Sequence, residues 1–141
     1  MSDADEITTL VHSYARLLDS GDVDGVAALF EHSTWRSLPS GSMLRGTEEV
    51  RPVYENLLAQ DRSRHTKHLI TNLSVHVEPG DTTASSHCLW TVLQGIPGDP
   101  ISITLSGQYT DTFEKVDNRW RFSDRLITTD LTGQPSTPRG R

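Results

Sequence analysis

The sequence predicts an α+β domain in which three N-terminal helices cover one face of a curved, mainly antiparallel sheet. Three observations carry that reading. Apolar residues recur at helical spacing through the first sixty positions, whereas from Arg64 onward the chain turns to long strand-like runs. The turn clusters between those runs, at 79–81, 95–100 and 116–118, are short enough to make successive strands antiparallel neighbours. A chain of 141 residues without an internal repeat fits one domain, which at this size buries roughly 70% of the surface its unfolded form exposes.

In chain order, Asp3 and Glu6 form a capping pair, and Ile7, Leu10, Val11, Tyr14, Leu17 and Leu18 make one apolar stripe. Ser20-Gly21 ends that helix. Asp22 caps a short second helix whose apolar side is Val23, Val26, Ala27, Leu29 and Phe30. A short strand over 33–38 contains Trp35 and runs into a turn at 39–42. Thr47 opens the third helix, with Glu48 and Glu49 at its positive end and a stripe of Val50, Val53, Tyr54, Leu57 and Leu58. Pro52 lacks an N–H, which moves the helix start toward Arg51 or distorts the first turn. Strands follow over 66–77, 82–94, 101–115 and 119–129. Residues 131–141, rich in glycine, proline, serine and threonine, are expected to form a disordered tail, which leaves 1–130 as the domain.

Composition narrows the partners. No apolar run approaches the ~20 residues of a membrane helix, and the acidic start, Met1 to Glu6, has neither the basic nor the apolar segment of a secretory signal. A cytoplasmic protein with no membrane contact is expected. The net charge of −6 with scattered basic residues offers no footprint for nucleic acid. Cys88, the single cysteine, excludes an internal disulfide and a thiolate metal cluster and reads as a small buried hydrophobe.

Chemistry is expected where histidine and asparagine interrupt a strand pattern at 64–73. Alternation places Thr66, His68, Ile70 and Asn72 on one face, and a β-bulge near Asn72 would switch which residues beyond it face inward. The next strand sets Ser85, His87, Leu89 and Thr91 on one face, so His68 and His87 are expected to meet in one pocket. Trp90, of opposite parity, then lies on the outer sheet face as a candidate for a homodimer interface. Asp111 shares an apolar parity with Ile101, Ile103, Leu105, Tyr109 and Phe113, so its carboxylate must be functional or paired, with Arg125 or Arg121 as partner. Tyr14 and Tyr54, on helix stripes, are core residues or ligand contacts, and Trp35 walls the pocket mouth. His65 and His68 face opposite ways, and the metal, phosphate and serine-nucleophile motifs are missing, so no metal and no cofactor are expected.

Several motifs occur in a telling order: residues 17–24 closing the first helix, Ala28-Leu29-Phe30, residues 44–50, residues 64–72, residues 107–111 and Arg119-Trp120-Arg121-Phe122. Over residues 5–130 this pattern resembles the SnoaL-like proteins of the nuclear-transport-factor-2-like superfamily, among them polyketide cyclases and scytalone dehydratase. The resemblance implies a cone-shaped half-barrel around one deep pocket, commonly in a homodimer. Scytalone dehydratase uses two pocket histidines and an aspartate, and Asp19, His68 and His87 fall at the matching places. Its two water-holding tyrosines correspond here to Leu18 and Leu38. Many relatives carry an aspartate near the start of the first strand, where this chain reads Glu31-His32-Ser33-Thr34-Trp35.

The expected function is a cofactor-independent lyase, isomerase or cyclase acting on a small, largely apolar ligand, polyketide-derived or aromatic. Histidine suits acid–base work at neutral pH because its ordinary pKa is ~6.5. Asp19 is expected to fix the tautomer of His87, with His68 as the opposing acid, or else the trio is structural. The alternative is a non-catalytic binding or assembly module of the same fold, as in the small subunit of ring-hydroxylating dioxygenases.

Overall fold

The first helix, α1 (Asp3–Asp19), begins one residue earlier than the expected capping pair. Ser2 accepts from the Asp5 N–H at 3.1 Å and Asp5 reaches back to the Ser2 N–H. Asp3 and Glu6 are engaged elsewhere: Asp3 accepts from the indole N–H of Trp120 and from Lys115, and Glu6 accepts from the Trp120 backbone N–H. They tie the start of α1 to the last hairpin. The computed structural model describes residues 1–59 and 65–133.

Ile7, Val11, Tyr14 and Leu18 form the buried stripe of α1. Gly21, at φ 78°, ends the helix in the left-handed region. The N–H groups of Gly21 and Asp22 return to the carbonyls of Leu18 and Leu17. Asp22 then caps α2 (Val23–Ala28) by accepting from the Gly25 N–H. β1 (Thr34–Leu38) pairs with β2 (Ser42–Arg45), a strand not expected from the sequence. The third helix, α3 (Gly46–Ala59), starts upstream of the boundary inferred from Pro52. Pro52 lies on its exposed side, so the hydrogen bond it forfeits is at the surface. Val50 and Tyr54 are buried, whereas Leu57, expected on the same stripe, is exposed.

The long strands are β3 (His65–His76), β4 (Thr83–Gly95), β5 (Ser102–Val116) and β6 (Arg119–Thr132). They make one six-stranded sheet in the order β2-β1-β6-β5-β4-β3. β1 runs parallel to β6 and the other neighbouring pairs are antiparallel. Register shifts at Thr71/Ser74, Val92/Leu93, Ser106/Gly107 and Thr112/Phe113 mark bulges, which raise local twist and bend the sheet around the helices. The sheet stays open at β2 and β3, giving the α+β cone expected. Among the described residues no helix is long and apolar enough to cross a membrane. β6 runs into the segment expected to be disordered, and of that segment residues 134–141 lie outside the described residues.

The inner sheet face is set by register. Trp35, Arg125, Asp111, Ser86 and Val75 stand directly opposite one another across β1, β6, β5, β4 and β3. All but Val75, which is partly buried, are buried. On β4 the buried residues are Ala84, Ser86, Cys88, Trp90 and Val92, so His87 faces outward. Trp90, expected on the outer face, is 4% exposed within the core. On β5 Tyr109, Asp111 and Phe113 are buried, whereas Ile101, Ile103 and Leu105, of the same parity, are exposed at the far end of the sheet.

Candidate active site

The final residue of α1 is a carboxylate, a poor choice against the negative end of a helix dipole, where a like charge costs about 0.3–1 kcal/mol. The structure shows what holds it there. β3 is an edge strand, and the His68 N–H points away from β4 and donates to Asp19 Oδ2 at 2.8 Å. Thr66 Oγ1 donates to Asp19 Oδ1 at 3.1 Å. The His68 ring completes the set, with Nδ1 at 2.6 Å from Asp19 Oδ1. Partial burial pushes the Asp19 carboxyl up, but the bonds from the His68 ring, the His68 backbone and Thr66 together outweigh it and hold Asp19 below the usual carboxylate range.

A carboxylate only accepts, so Nδ1 of His68 carries a proton, and in the neutral ring Nε2 is left with its lone pair. The His68 side chain is 9% exposed and that of Asp19 23%, so the pair is sheltered without being sealed. The carboxylate thereby fixes the orientation of the imidazole ring.

Asp19 therefore pairs with His68 and not with His87, as had been expected. Outward-facing His87 is engaged by the outer sheet surface: its Nε2 lies 2.7 Å from Gln108 Oε1, and Gln108 Nε2 donates to Asp130 at 2.9 Å. The bulge switches the face of β3 at Asn72 (φ 55°), which is exposed, and Leu73 and Val75 take the inner positions beyond it.

A second polar cluster lies deeper. Asp111 and Arg125 are both fully buried and joined in two parallel bonds, Nε to Oδ1 at 2.8 Å and Nη2 to Oδ2 at 2.9 Å. The guanidinium carbon lies 4.3 Å from the centroid of the Tyr14 ring and 4.0 Å from that of Tyr109. Burial raises the Asp111 carboxyl and Arg125 pulls it back only in part. Burial also opposes the charge of Arg125, but Asp111 outweighs it and holds the guanidinium protonated. Tyr14, Tyr54 and Trp35 extend this cluster, with the two hydroxyls 2.8 Å apart and Trp35 Nε1 donating to Tyr54 at 3.0 Å. Burial pushes the Tyr54 and Tyr109 phenols well up and the Cys88 thiol to about 11, so all three stay protonated at neutral pH.

The residues expected to bind ligand thus divide in two. Tyr14, Trp35, Tyr54, Tyr109 and Asp111 form one interior network, and His68 with Asp19 forms a separate pair where the end of α1 meets the edge strand β3. Arg125 stood in the sequence reading only as a partner for Asp111, and it is the hub of the network. Alternation from the buried Trp120 and Phe122 would turn Arg125 outward, and the register shift at Thr112/Phe113 brings it inward instead. On the inner face, Ser86 Oγ, Trp90 Nε1 and Arg125 Nη1 are buried without a hydrogen-bond partner among the described residues.

An open six-stranded cone, three helices on its concave side and polar residues placed inside it define a nuclear-transport-factor-2-like α+β protein. The chain belongs to the SnoaL-like domain family, which matches residues 1–126. Solved structures agree. A candidate scytalone dehydratase from Novosphingobium aromaticivorans is 26% identical, with a TM-score of 0.76, over 99% of this chain and 94% of that one. A protein of unknown function from Mycobacterium tuberculosis is 25% identical, with a TM-score of 0.74, over 89% of this chain and 70% of that one. ActVI-ORFA from Streptomyces coelicolor shares the fold at a TM-score of 0.78 and 19% identity, over 90% of this chain and 96% of that one. No curated protein sequence matches the chain significantly.

Proposed function

We propose that the chain is a cofactor-independent lyase, isomerase or cyclase that removes a proton beside a carbonyl of a small, largely apolar molecule, with His68 as general base and Asp19 as its positioning residue. The observation that carries this is the 2.6 Å contact between His68 Nδ1 and Asp19 Oδ1. It fixes the tautomer with Nε2 bare and stabilises the imidazolium that forms when Nε2 takes a proton. Positioned proton transfer of this kind contributes typically ~10²–10⁴-fold. Membership of a family with a candidate scytalone dehydratase among its structural relatives supports the same class.

A binding module remains the rival reading, favoured by one observation: outward-facing His87 leaves the site without the second histidine that a two-residue acid–base pair needs. Deuterium exchange separates the two. 2-Tetralone, a flat bicyclic ketone with acidic C–H bonds beside its carbonyl, exchanges them with heavy water in a reaction followed by proton NMR. The protein is expected to accelerate that exchange, His68→Ala to abolish the acceleration, and His87→Ala to leave it intact. Acceleration that survives His68→Ala would overturn the base assignment, and no acceleration by the unmodified protein would favour the binding module.

A further inference from the structure

The register that sets the inner face of the sheet also sets the outer one. Leu69, Thr91, Ser106 and Leu131 stand directly opposite one another across β3, β4, β5 and β6. Thr71, Leu89, Gln108 and Thr128 make the next row, which Leu38 continues onto β1. A third row runs through Ser74, His87, Thr110 and Leu126. None of these residues is Lys, Arg, Asp or Glu, although charged residues make up 23% of the chain. Leu69, Leu89 and Leu38 are 43%, 37% and 45% exposed. Where an antiparallel sheet faces water, outward positions are ordinarily polar, so leucines repeated across neighbouring strands call for a cover.

Charge lies around these rows. Arg36 and Asp124 neutralise each other at 2.7 Å where β1 meets β6. Lys67 stands beyond the Leu69 row, opposite Leu93. Asp130, the extra residue in the bulge of β6 opposite Ser106 and Gly107, accepts from Gln108 Nε2. An uncharged centre inside a polar rim is the anatomy of a protein interface. Its size agrees. β3, β4, β5 and β6 contain 12, 13, 15 and 14 residues, and four such strands present a face of roughly 42 Å by 19 Å. That is about 800 Å², the area each partner contributes to a stable pair.

We infer that this face is where two copies of the chain meet, with the two-fold axis near Leu89 and Gln108. Symmetry favours a second copy over a foreign protein. In a two-fold contact a residue near the axis meets its own counterpart, so a charge there faces a like charge. The chain carries a net charge of −6, which sets copies against each other wherever that charge is exposed. The neutral rows remove the repulsion where contact is closest. A foreign partner is steered and selected by opposite charge, and these rows offer it none. His87, which has no place in the site around His68, gains one here: with Gln108 and Asp130 it forms a hydrogen-bonded chain across the contact surface. Trp90, expected from the sequence to anchor this interface, takes no part in it, because it is buried on the opposite face of β4. The inference holds whether or not His68 is a base.

Sedimentation velocity tests it. At micromolar concentration the protein is expected to sediment at twice its chain mass of 15.7 kDa. Leu89→Lys sets two like charges near the axis and is expected to weaken the association about 100-fold or more. Leu57→Lys, on the exposed side of α3, is expected to leave it unchanged. A soluble gadolinium chelate reads the same surface in the unmodified protein, independently of how any variant folds. It is expected to broaden the Leu57 methyl resonances and to spare those of Leu69 and Leu89. A monomer at every concentration, a dimer that survives Leu89→Lys or yields instead to Leu57→Lys, or Leu89 methyls as open to the chelate as those of Leu57 would each overturn the inference.

Discussion

Two carboxylates sit on the concave side of this protein, each bound to a basic partner, and they do opposite things. Asp111 and Arg125 are fully buried and doubly bonded, with aromatic rings over the guanidinium. Asp19 and His68 are partly open and joined through one ring bond, with no partner for the second ring nitrogen among the described residues. Arginine does not deprotonate in a protein, so the inner pair holds charge and shape. An imidazole whose ring carries one proton keeps a nitrogen able to accept another, which is what the proposed function asks of the outer pair. Nearly the same pairing of groups becomes scaffold or, in the function proposed, machinery according to which base is chosen and how far burial seals it.

The largest expected effect breaks the inner pair. Asp111→Ala leaves a guanidinium uncompensated in the core and should cost about 3–5 kcal/mol in urea unfolding. A loss below about 1 kcal/mol would mean that the aromatic rings alone carry Arg125. By contrast, Asp19→Asn should lower the unfolding midpoint much less, because the pair is partly exposed and the amide oxygen can still accept from the His68 backbone.

Acid sharpens the comparison. The folded-state pKa of Asp19 lies below its unfolded value of ~3.9. Its contribution to stability is therefore present above that value and lost as pH falls through the depressed folded one. Asp111 runs the other way, since burial raises its carboxyl. The His68 amide, which donates to Asp19 Oδ2, reports the difference directly: its proton shift should titrate below ~3.9. A transition at or above that value would contradict the hydrogen-bonding account of Asp19.

Much of this arrangement is legible in the sequence, and the parts that are not have physical reasons. The order of helices and long strands follows from periodicity, and Gly21 and Asp22 mark the first helix junction as their chemistry requires. β2 escapes because its four residues, Ser42–Arg45, are mostly exposed and carry no alternation. The face of β4 is misjudged because His87 beside Leu89 draws the parity of Ser85 and Thr91 toward the pocket. The apolar company decides it, since Ala84, Cys88, Trp90 and Val92 share one face. Reading Cys88 as buried already implies that Trp90 is buried, two positions on. The partner of Asp19 is a different matter, because pairing the end of α1 with an edge strand is tertiary. The sole local hint is a carboxylate placed against a helix dipole.

The central claim is that Asp19 sets the tautomer of His68. It is tested most directly by the ¹⁵N imidazole shifts of His68 at neutral pH, in the protein and in Asp19→Asn. The expected result is a neutral ring protonated at Nδ1 with Nε2 bare, and a shift of that balance toward Nε2–H when the carboxylate becomes an amide. A ring already protonated at Nε2 in the unmodified protein, or one indifferent to the substitution, would contradict the account.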